Sequence, residues 1–187
     1  FVAVGKFPDD DVVQVDHDNV GACKELVTVL FAKGIQNIAY LGSNMDQMVN
    51  RCRYQGYEEA YRKGKRKLNQ DLVYTDLSSR AMVEKAVEEL KNSGVECILC
   101  QDDYICDEVV RKLARMGVRI PDQMKVASCH YSRILENYPV TITSLKFNIT
   151  ELGRRSCQVL LDRIHGKTVP DKTLLDYEII LKESTKG

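Results

Sequence analysis

The sequence predicts an α/β fold in which helices cover both faces of a parallel sheet. Strand-like and helix-like patterns alternate at least three times between residues 38 and 129, and such alternation is typical of parallel sheets joined by crossover helices. Residues 95–100 form an apolar run interrupted only by Glu96. A continuous apolar run, in place of strict alternation, indicates a strand that is buried on both faces.

Extended segments open the chain. Residues 1–4 form an apolar strand pattern that starts without a cap or a turn, so we expect the chain to be truncated at this end. Residues 8–11 contain a proline and three aspartates, which predict a turn. The next apolar residues, Val12, Val13 and Val15, indicate a second extended stretch.

The first helix is predicted by an N-cap residue, by apolar residues at helical spacing and by a glycine that ends it. Asp18 has a side chain that caps helix N-termini, and Gly34 is typical of the position just after a helix. Between them, apolar side chains recur at helical spacing at Cys23, Leu26, Val27 and Leu30. Ile38–Leu41 then forms an apolar block of strand length, which Gly42 and Ser43 end.

A second helix is predicted from about Met48. Its apolar and small positions at helical spacing are Val49, Cys52, Gly56 and Ala60. Residues 62–67 at its end are strongly basic. We interpret them as a solvated helix end, because Glu58 and Glu59 come just before them and the total charge is balanced.

Arg53 is the first candidate for a binding residue. In an open α/β sheet, ligands bind at the loops that leave the carboxyl ends of strands. Arg53 lies about one turn into the helix that follows the loop after Ile38–Leu41. Its guanidinium can therefore reach back over that loop and offer a planar fork of donors.

The remaining elements continue the alternation. Further strands are predicted at residues 72–75, 95–100, 124–129, 140–147 and 173–182. Further helices are predicted to start at Ser78, near Asp102 and at Glu151, and to end at Gly94, near Gly117 and at Gly166.

Charge and cysteine content narrow the classes of function. The 187 residues include 27 Lys and Arg and 27 Asp and Glu, so we do not expect this piece to grip DNA or RNA by itself. No apolar run approaches the length of about 20 residues that a membrane span needs. The start lacks the sections of a signal peptide, as a mature secreted protein also would. Seven cysteines, an odd number in mostly apolar contexts, favour reduced thiols and a cytoplasmic location.

Segments along almost the whole chain carry a family resemblance. They are Asp18-Asn19 with Gly21-Ala22, Lys33-Gly34, residues 38–42, Arg53 with Gly56-Tyr57, Asp102-Asp103, residues 117–122, Val126 onward, and residues 141–144, 151–153 and 181–185. Their order and spacing resemble the effector-binding core of the lactose-repressor and purine-repressor (LacI/GalR) family of bacterial transcription regulators. That core is itself similar to periplasmic sugar-binding proteins.

The resemblance implies a periplasmic-binding-protein-like class I fold, with two lobes, three crossovers and a small effector between the lobes. By it, residues 1–17 and 146–172 are parts of the N-terminal lobe, residues 18–145 form the C-terminal lobe, and residues 173–187 return to that lobe as a strand and a tail. It also implies a homodimer, and operator DNA contacts only through a helix-turn-helix head that this chain lacks. Leu135, Tyr138 and Pro139 fall where relatives dimerise, and ordinary loop packing is the alternative explanation for them.

The resemblance also assigns site residues. Arg53 matches the arginine that hydrogen-bonds effector hydroxyls or carboxylates, and a forked cation suits adjacent oxygens. The alternative is a helix-surface arginine paired with an acid. Asp103 matches a carboxylate that accepts hydrogen bonds from sugar hydroxyls, whereas Asp102 is better suited to capping the next helix.

Three positions depart from the family's sugar-binding pattern. His130 stands where an acid is common, and Leu77 stands where many members stack an aromatic ring on the ligand. Gly5, with Lys6 beside it, stands where an acid often follows a strand. Arg53, His130 and Lys6 would suit an anionic ligand, such as a sugar phosphate or a carboxylate, if all three face the cleft. The alternative is that effector binding has been lost.

We expect no metal, no cofactor and no enzymatic activity. Cys97 and Cys100 are three residues apart in a predicted strand and so point to opposite faces, without a second Cys or His pair at ligand spacing. The sequence has no glycine-rich phosphate loop and no recognisable nucleophile set. His17 lies between two aspartates at a predicted crossover, and we expect it to be solvated. An extracytoplasmic solute-binding protein and an α/β enzyme using the same crevice are the alternatives to a regulator.

Overall fold

A computed structural model of the protein describes residues 1–8 and 11–186. Asp9 and Asp10 of the predicted turn, and Gly187 of the predicted tail, lie outside the described residues. Within these ranges the chain alternates between strands and helices, as the sequence predicts.

The elements are short strands and helices of three to five turns. The strands are β1 (Ala3–Val4), β2 (Gln14–His17), β3 (Ile38–Leu41), β4 (Val73–Tyr74), β5 (Cys97–Cys100), β6 (Lys125–Ser128), β7 (Thr143–Phe147), β8 (Lys172–Leu175) and β9 (Tyr177–Ile180). The helices are α1 (Asn19–Ala32), α2 (Met48–Lys63), α3 (Arg80–Leu90), α4 (Asp103–Arg115) and α5 (Ile149–Ile164). Among the described residues, no helix is both long enough and apolar enough to pass through a membrane.

The strands form two sheets. The larger sheet has the order β4-β3-β5-β6-β7-β9, and the smaller sheet has the order β1-β2-β8. Every neighbouring pair is parallel except β7 and β9. The predicted α/β fold with a mainly parallel sheet is confirmed.

Helices cover both faces of the larger sheet. Successive side chains of β3 point to opposite faces, so Ala39 and Leu41 pack with α3 and α4. Ile38 and Tyr40 pack with α1 and α2 on the other face. All four side chains are fully buried. The continuous apolar runs in the sequence therefore reflect two cores, one on each face.

The smaller sheet has its own core. Val13 and Val15 pack against Val159 of α5.

The extended stretch predicted over residues 173–182 is two strands that belong to different sheets. β8 pairs with β2 in the smaller sheet, and β9 pairs with β7 in the larger one, so the chain passes between the sheets at Asp176.

Candidate functional site

The carboxyl ends of the central parallel strands meet at one edge of the larger sheet. We call this the carboxyl edge; it consists of residues 42–43 after β3, 101–103 after β5, 129–130 after β6, and 147–148 at the end of β7. Gln101 holds two of these segments together. Its fully buried side chain accepts from the amide of Ser43 at 3.1 Å and donates to the Ser43 hydroxyl at 3.2 Å.

Arg53 reaches the carboxyl edge because α2 packs very closely on α1. A Cβ atom at Gly56 would lie only 2.4 Å from the carbonyl oxygen of Val20 in α1, so only glycine allows the two helices this approach. One turn earlier in α2, the side chain of Arg53 is 8% exposed. The close packing therefore carries a guanidinium into the interior beside the sheet.

The guanidinium of Arg53 is held by neutral oxygens and by an aromatic ring. Its Nη1 donates to the backbone carbonyl of Gln101 at 2.9 Å, and its Nε donates to Asn19 Oδ1 at 3.4 Å. Its Cζ lies 5.9 Å from the centre of the Phe147 ring, within the range of a cation–π contact. Arg53 is thus a buried residue of the carboxyl edge and not a surface arginine.

Asp102 and Asp103 divide their roles at the start of α4. Asp102 caps the helix by accepting from the amide of Ile105 at 2.9 Å, as the sequence predicts. Asp103 is 5% exposed, and its Oδ1 lies 3.1 Å from Nδ1 of His130. Burial acts to raise the pKa of Asp103, but hydrogen bonds from Ser132 and His130 outweigh burial and lower it.

Phe147 links these side chains, and sequence reasoning did not single it out. The His130 ring stacks on Phe147 with 6.3 Å between the ring centres, and the His17 ring lies 5.0 Å from Phe147 at a tilt. Together with Arg53, three side chains therefore surround one aromatic ring. The available signal was an aromatic residue at the carboxyl end of a strand, directly before the Asn148 cap of α5.

His17 is buried, so the expectation that it is solvated was wrong. The side chain is 5% exposed, because His17 is the last residue of β2 and its ring packs against Phe147. Burial lowers the pKa of His17, although the backbone of Asn148 and the charge of Asp16 act to raise it. Its Nε2 has no hydrogen-bond partner in the part of the chain that the structure describes.

Lys6 and Leu77 are the other two predicted binding residues, and Leu77 adjoins the carboxyl edge through its backbone amide, which donates to the carbonyl of Gly42 at 3.0 Å. Lys6 lines a cavity of about 190 Å³ beside the smaller sheet, together with His17, Asn19 and Cys52. Asn19 connects this cavity to Arg53. Leu77 is 7% exposed and packs in the core that α3 and α4 cover, on the face of the larger sheet opposite α2.

The arrangement is suited to hydrogen bonding. Arg53 and His130 contact the Phe147 ring, and Asp103 is bonded to His130. Lys6 lines the cavity beside the smaller sheet with Asn19, whose side chain accepts from Arg53. Among residues 1–8 and 11–186, no group of three or more His, Cys, Asp or Glu side chains is arranged to hold a metal ion.

Comparison with known protein families identifies one match over most of the chain. The model of the periplasmic binding protein-like domain matches residues 27–185. This range contains α2, the larger sheet and all of the carboxyl edge.

Two curated relatives are regulators of transcription. The chain is 27% identical over 180 residues to the HTH-type transcriptional regulator CelR of Thermobifida fusca, covering 95% of this chain and 53% of CelR. It is 27% identical over 175 residues to the HTH-type transcriptional regulator GntR of Escherichia coli K12, covering 87% of this chain and 49% of GntR. The chain thus spans about half the length of the curated relatives it matches.

Solved structures of regulators share the fold. A complex of the transcriptional regulator CelR with cellobiose matches 98% of this chain and 58% of that chain, with a TM-score of 0.85 and 26% identity. The transcription regulator CcpA of Lactococcus lactis matches 99% of this chain and 69% of that chain, with a TM-score of 0.86 and 24% identity.

Proposed function

The chain belongs to the periplasmic binding protein-like domain family, in the form found in LacI-type regulators, and from this premise we propose that it is the ligand-sensing and dimerisation region of a bacterial DNA-binding transcriptional regulator. In this proposal a small effector binds between two lobes. A helix-turn-helix head outside this chain contacts operator DNA, and two copies of the protein pair. The effector is a sugar, a sugar phosphate or another small metabolite.

The meeting of Arg53, Asp103 and His130 around Phe147 is the observation that carries the proposal. These side chains come from α2, α4 and the loop after β6, yet they converge at the carboxyl edge of one sheet, where α/β proteins bind ligands. They supply a forked donor, a carboxylate acceptor and an imidazole around an apolar surface. Such a small set of fixed polar groups beside an aromatic ring is typical of sites for small molecules.

The two sheets supply the two lobes. Residues 1–17 and 148–172 belong with the smaller sheet and residues 18–147 with the larger one, so the boundary expected at residue 146 moves to the end of β7. β8 extends the first lobe to Leu175, and residues from Tyr177 onward return to the second lobe. A ligand that contacts both lobes would favour one relative arrangement of them, and so shift the population of the form that binds DNA.

The known relatives favour a regulator over the other two classes considered. CelR and GntR are regulators of transcription, and the CelR structure contains a sugar. All seven cysteines are unpaired, six of them buried, which supports a reducing, cytoplasmic location over an extracytoplasmic one. No enzymatic activity is proposed, since these relatives regulate transcription.

Dimerisation is proposed from the family and not from the three residues noted in the sequence. Leu135 is 3% exposed and packs in the core of its own chain, and the Tyr138 hydroxyl donates to the carbonyl of Asp107 at 3.2 Å. Only Pro139 of the three is exposed. Loop packing therefore accounts for Leu135 and Tyr138.

Thermal unfolding of the full-length regulator, with and without candidate effectors, tests the proposal. We expect at least one sugar, sugar phosphate, carboxylate or nucleobase to raise the melting temperature and to change the affinity for operator DNA. Arg53→Ala should abolish both effects. Arg154→Ala, which removes an exposed arginine paired with Glu151 on α5, should retain both. Unchanged melting and unchanged DNA affinity across all four classes would refute effector sensing.

A further inference from the structure

Within the described residues the chain passes between the two sheets three times, and one imidazole ring joins two of these passages. The passages follow His17 at the end of β2, Phe147 at the end of β7 and Leu175 at the end of β8. The centre of the His17 ring lies 5.0 Å from that of the Phe147 ring, and the His17 ring hydrogen-bonds the backbone of Asn148. Because β2 belongs to the smaller sheet and β7 to the larger one, the imidazole bridges the two sheets where the chain itself crosses between them.

The His17 ring is buried, and one of its two nitrogens has no partner. The side chain is 5% exposed, and Nε2 forms no hydrogen bond with any described residue. The bond to the Asn148 backbone is therefore made by Nδ1, and because this bond acts to raise the pKa of His17, the ring donates it. A neutral ring that donates from Nδ1 presents only a lone pair at Nε2. The surroundings of His17 therefore accommodate the neutral ring.

A proton added at Nε2 has no acceptor among the described residues in this arrangement. The charge of Asp16 acts to raise the pKa of His17, but neighbouring strand residues point to opposite faces, and Asp16 Oδ1 accepts from the backbone amide of His17 at 2.8 Å. Asp103 of α4 is bonded to His130, which itself acts to lower the pKa of His17. An imidazolium here would be a buried charge without a hydrogen-bonded counter-ion, which is strongly unfavourable.

The other charged groups near these passages do not supply that counter-ion. They are Asp18, Glu151, Asp176 and Arg53. The first caps α1, the second pairs with Arg154, the third is exposed, and the fourth is a cation that lies against the Phe147 ring. The net result is that burial outweighs the favourable contacts and lowers the pKa of His17.

Protonation therefore favours an arrangement in which the ring reaches water. Exposure of Nε2 moves the ring away from Phe147 or from Asn148, and each of these contacts joins one passage of the chain to another. The Phe147 ring also contacts Arg53 and His130. A proton on His17 and an effector at the carboxyl edge would thus act on the same aromatic ring.

We propose that His17 is a positioning residue: its neutral ring holds the two sheets in one relative arrangement, and uptake of a proton by the ring releases them. The proton thereby acts as a ligand that shifts the population of lobe arrangements. The shift occurs below pH 6.5, since burial lowers the pKa of His17 from that value. This inference rests on the proposed function only in assigning the two sheets to two lobes, and it requires no effector.

Pulsed electron resonance between two spin labels measures the arrangement in the full-length regulator. One label is placed on the exposed Cys157 of α5, and the other on α3, beside the larger sheet, through Lys85→Cys, where the side chain is 78% exposed. We expect one distance distribution above pH 6.5 and a second population that grows below it, by up to about tenfold per pH unit, the limit for uptake of one proton. NMR of the His17 ring in the same buffers gives the pH at which it is protonated, and the two transitions should coincide.

Variants at two histidines identify the group responsible. His17→Phe keeps an aromatic ring against Phe147, and His17→Asn keeps a donor near the position of Nδ1, but neither side chain takes up a proton. Both variants should give the same distance distribution at every pH. His130→Asn should retain the change and move its midpoint to higher pH, because His130 acts to lower the pKa of His17.

Three results would overturn this inference. They are a distance distribution of the parent protein that does not change with pH, an equal change in the parent and in both His17 variants, and a His17 ring that stays neutral until the protein unfolds. The proposed function is judged separately, by the melting temperature and the operator affinity with candidate effectors at one neutral pH.

Discussion

The guanidinium of Arg53 donates to the backbone carbonyl of Gln101 at 2.9 Å, across the gap between α2 and the end of β5. Gln101 is fully buried, and its own side chain fixes Ser43 in the loop after β3. One arginine therefore ties together a helix and two loops that follow parallel strands. The candidate site and the stability of the larger sheet depend on the same side chain.

Replacing Arg53 should lower stability as well as ligand binding. Arg53→Ala leaves a buried carbonyl without its charged donor, and such a loss costs about 1–3 kcal/mol. We expect the free energy of unfolding in urea to fall by that amount without ligand. Arg154→Ala is the control, since its exposed ion pair contributes little, and it should leave the urea midpoint almost unchanged. Equal midpoints for Arg53→Ala and the parent protein would contradict a structural role for Arg53.

Replacement by alanine should have opposite effects at two helical glycines, Gly56 in the α1–α2 contact and Gly153 on the exposed side of α5. Gly56→Ala places a methyl group 2.4 Å from the carbonyl oxygen of Val20, so the helices must separate, and we expect a loss of about 1–3 kcal/mol. A Cβ atom added at Gly153 in α5 would meet no neighbouring segment within 4 Å. Gly153→Ala should therefore stabilise the protein by about 0.5–1 kcal/mol, through the lower backbone entropy of alanine. Urea unfolding of both variants checks the signs, and a neutral Gly56→Ala would show that α1 and α2 have room to move.

Sequence patterns within single helices and strands predicted most of this fold, because they reflect which side chains of that element are buried. The apolar runs of Ile38–Leu41 and residues 95–100 indicated strands covered on both faces, and the structure buries β3 and β5 fully. The helix N-caps Asp18 and Asp102 could be predicted, because an N-cap side chain accepts from a backbone amide only three residues later in the chain. The division of residues 173–182 between two sheets could not be predicted from the sequence. An extended segment carries no signal for which distant strand it will pair with.

The site was only partly predictable because its geometry depends on contacts between distant segments. Arg53 could be placed at the carboxyl edge from its position one turn into a helix. The burial of His17 could not be foreseen, since its flanking aspartates suggest solvent and the ring is covered by Phe147, 130 residues later in the chain. Leu77 was aligned with a stacking position by resemblance, but the structure packs it in the core beneath α3 and α4.

The buried ring of His17 should make stability depend on pH near neutrality. Burial lowers the pKa of His17 below its ordinary value of 6.5, so below that pH the unfolded chain binds more protons than the folded one. The free energy of unfolding should then be highest above pH 6.5 and fall as the pH drops toward the folded pKa. Urea unfolding of the parent and of His17→Leu at several pH values measures the difference between their curves.

That difference should be constant above pH 6.5 and change progressively below it. Asp16 and His130 also affect the pKa of His17. Both residues are therefore kept unchanged in the two proteins that are compared. Parallel curves for the parent and His17→Leu across the whole range would show that folding does not change the affinity of His17 for protons.

The seven cysteines should react with a thiol reagent in two sharply separated groups. Only the thiolate is nucleophilic, and burial raises the pKa of Cys23, Cys52, Cys97 and Cys100. Six of the seven side chains are buried, and Cys157 on α5 is exposed. We therefore expect one thiol to react quickly with Ellman's reagent in the native protein, and all seven to react in urea. Cys157→Ser should remove the fast phase and leave the remaining six protected; a fast phase that persists in this variant would mean that a buried thiol is reached by local opening of the fold.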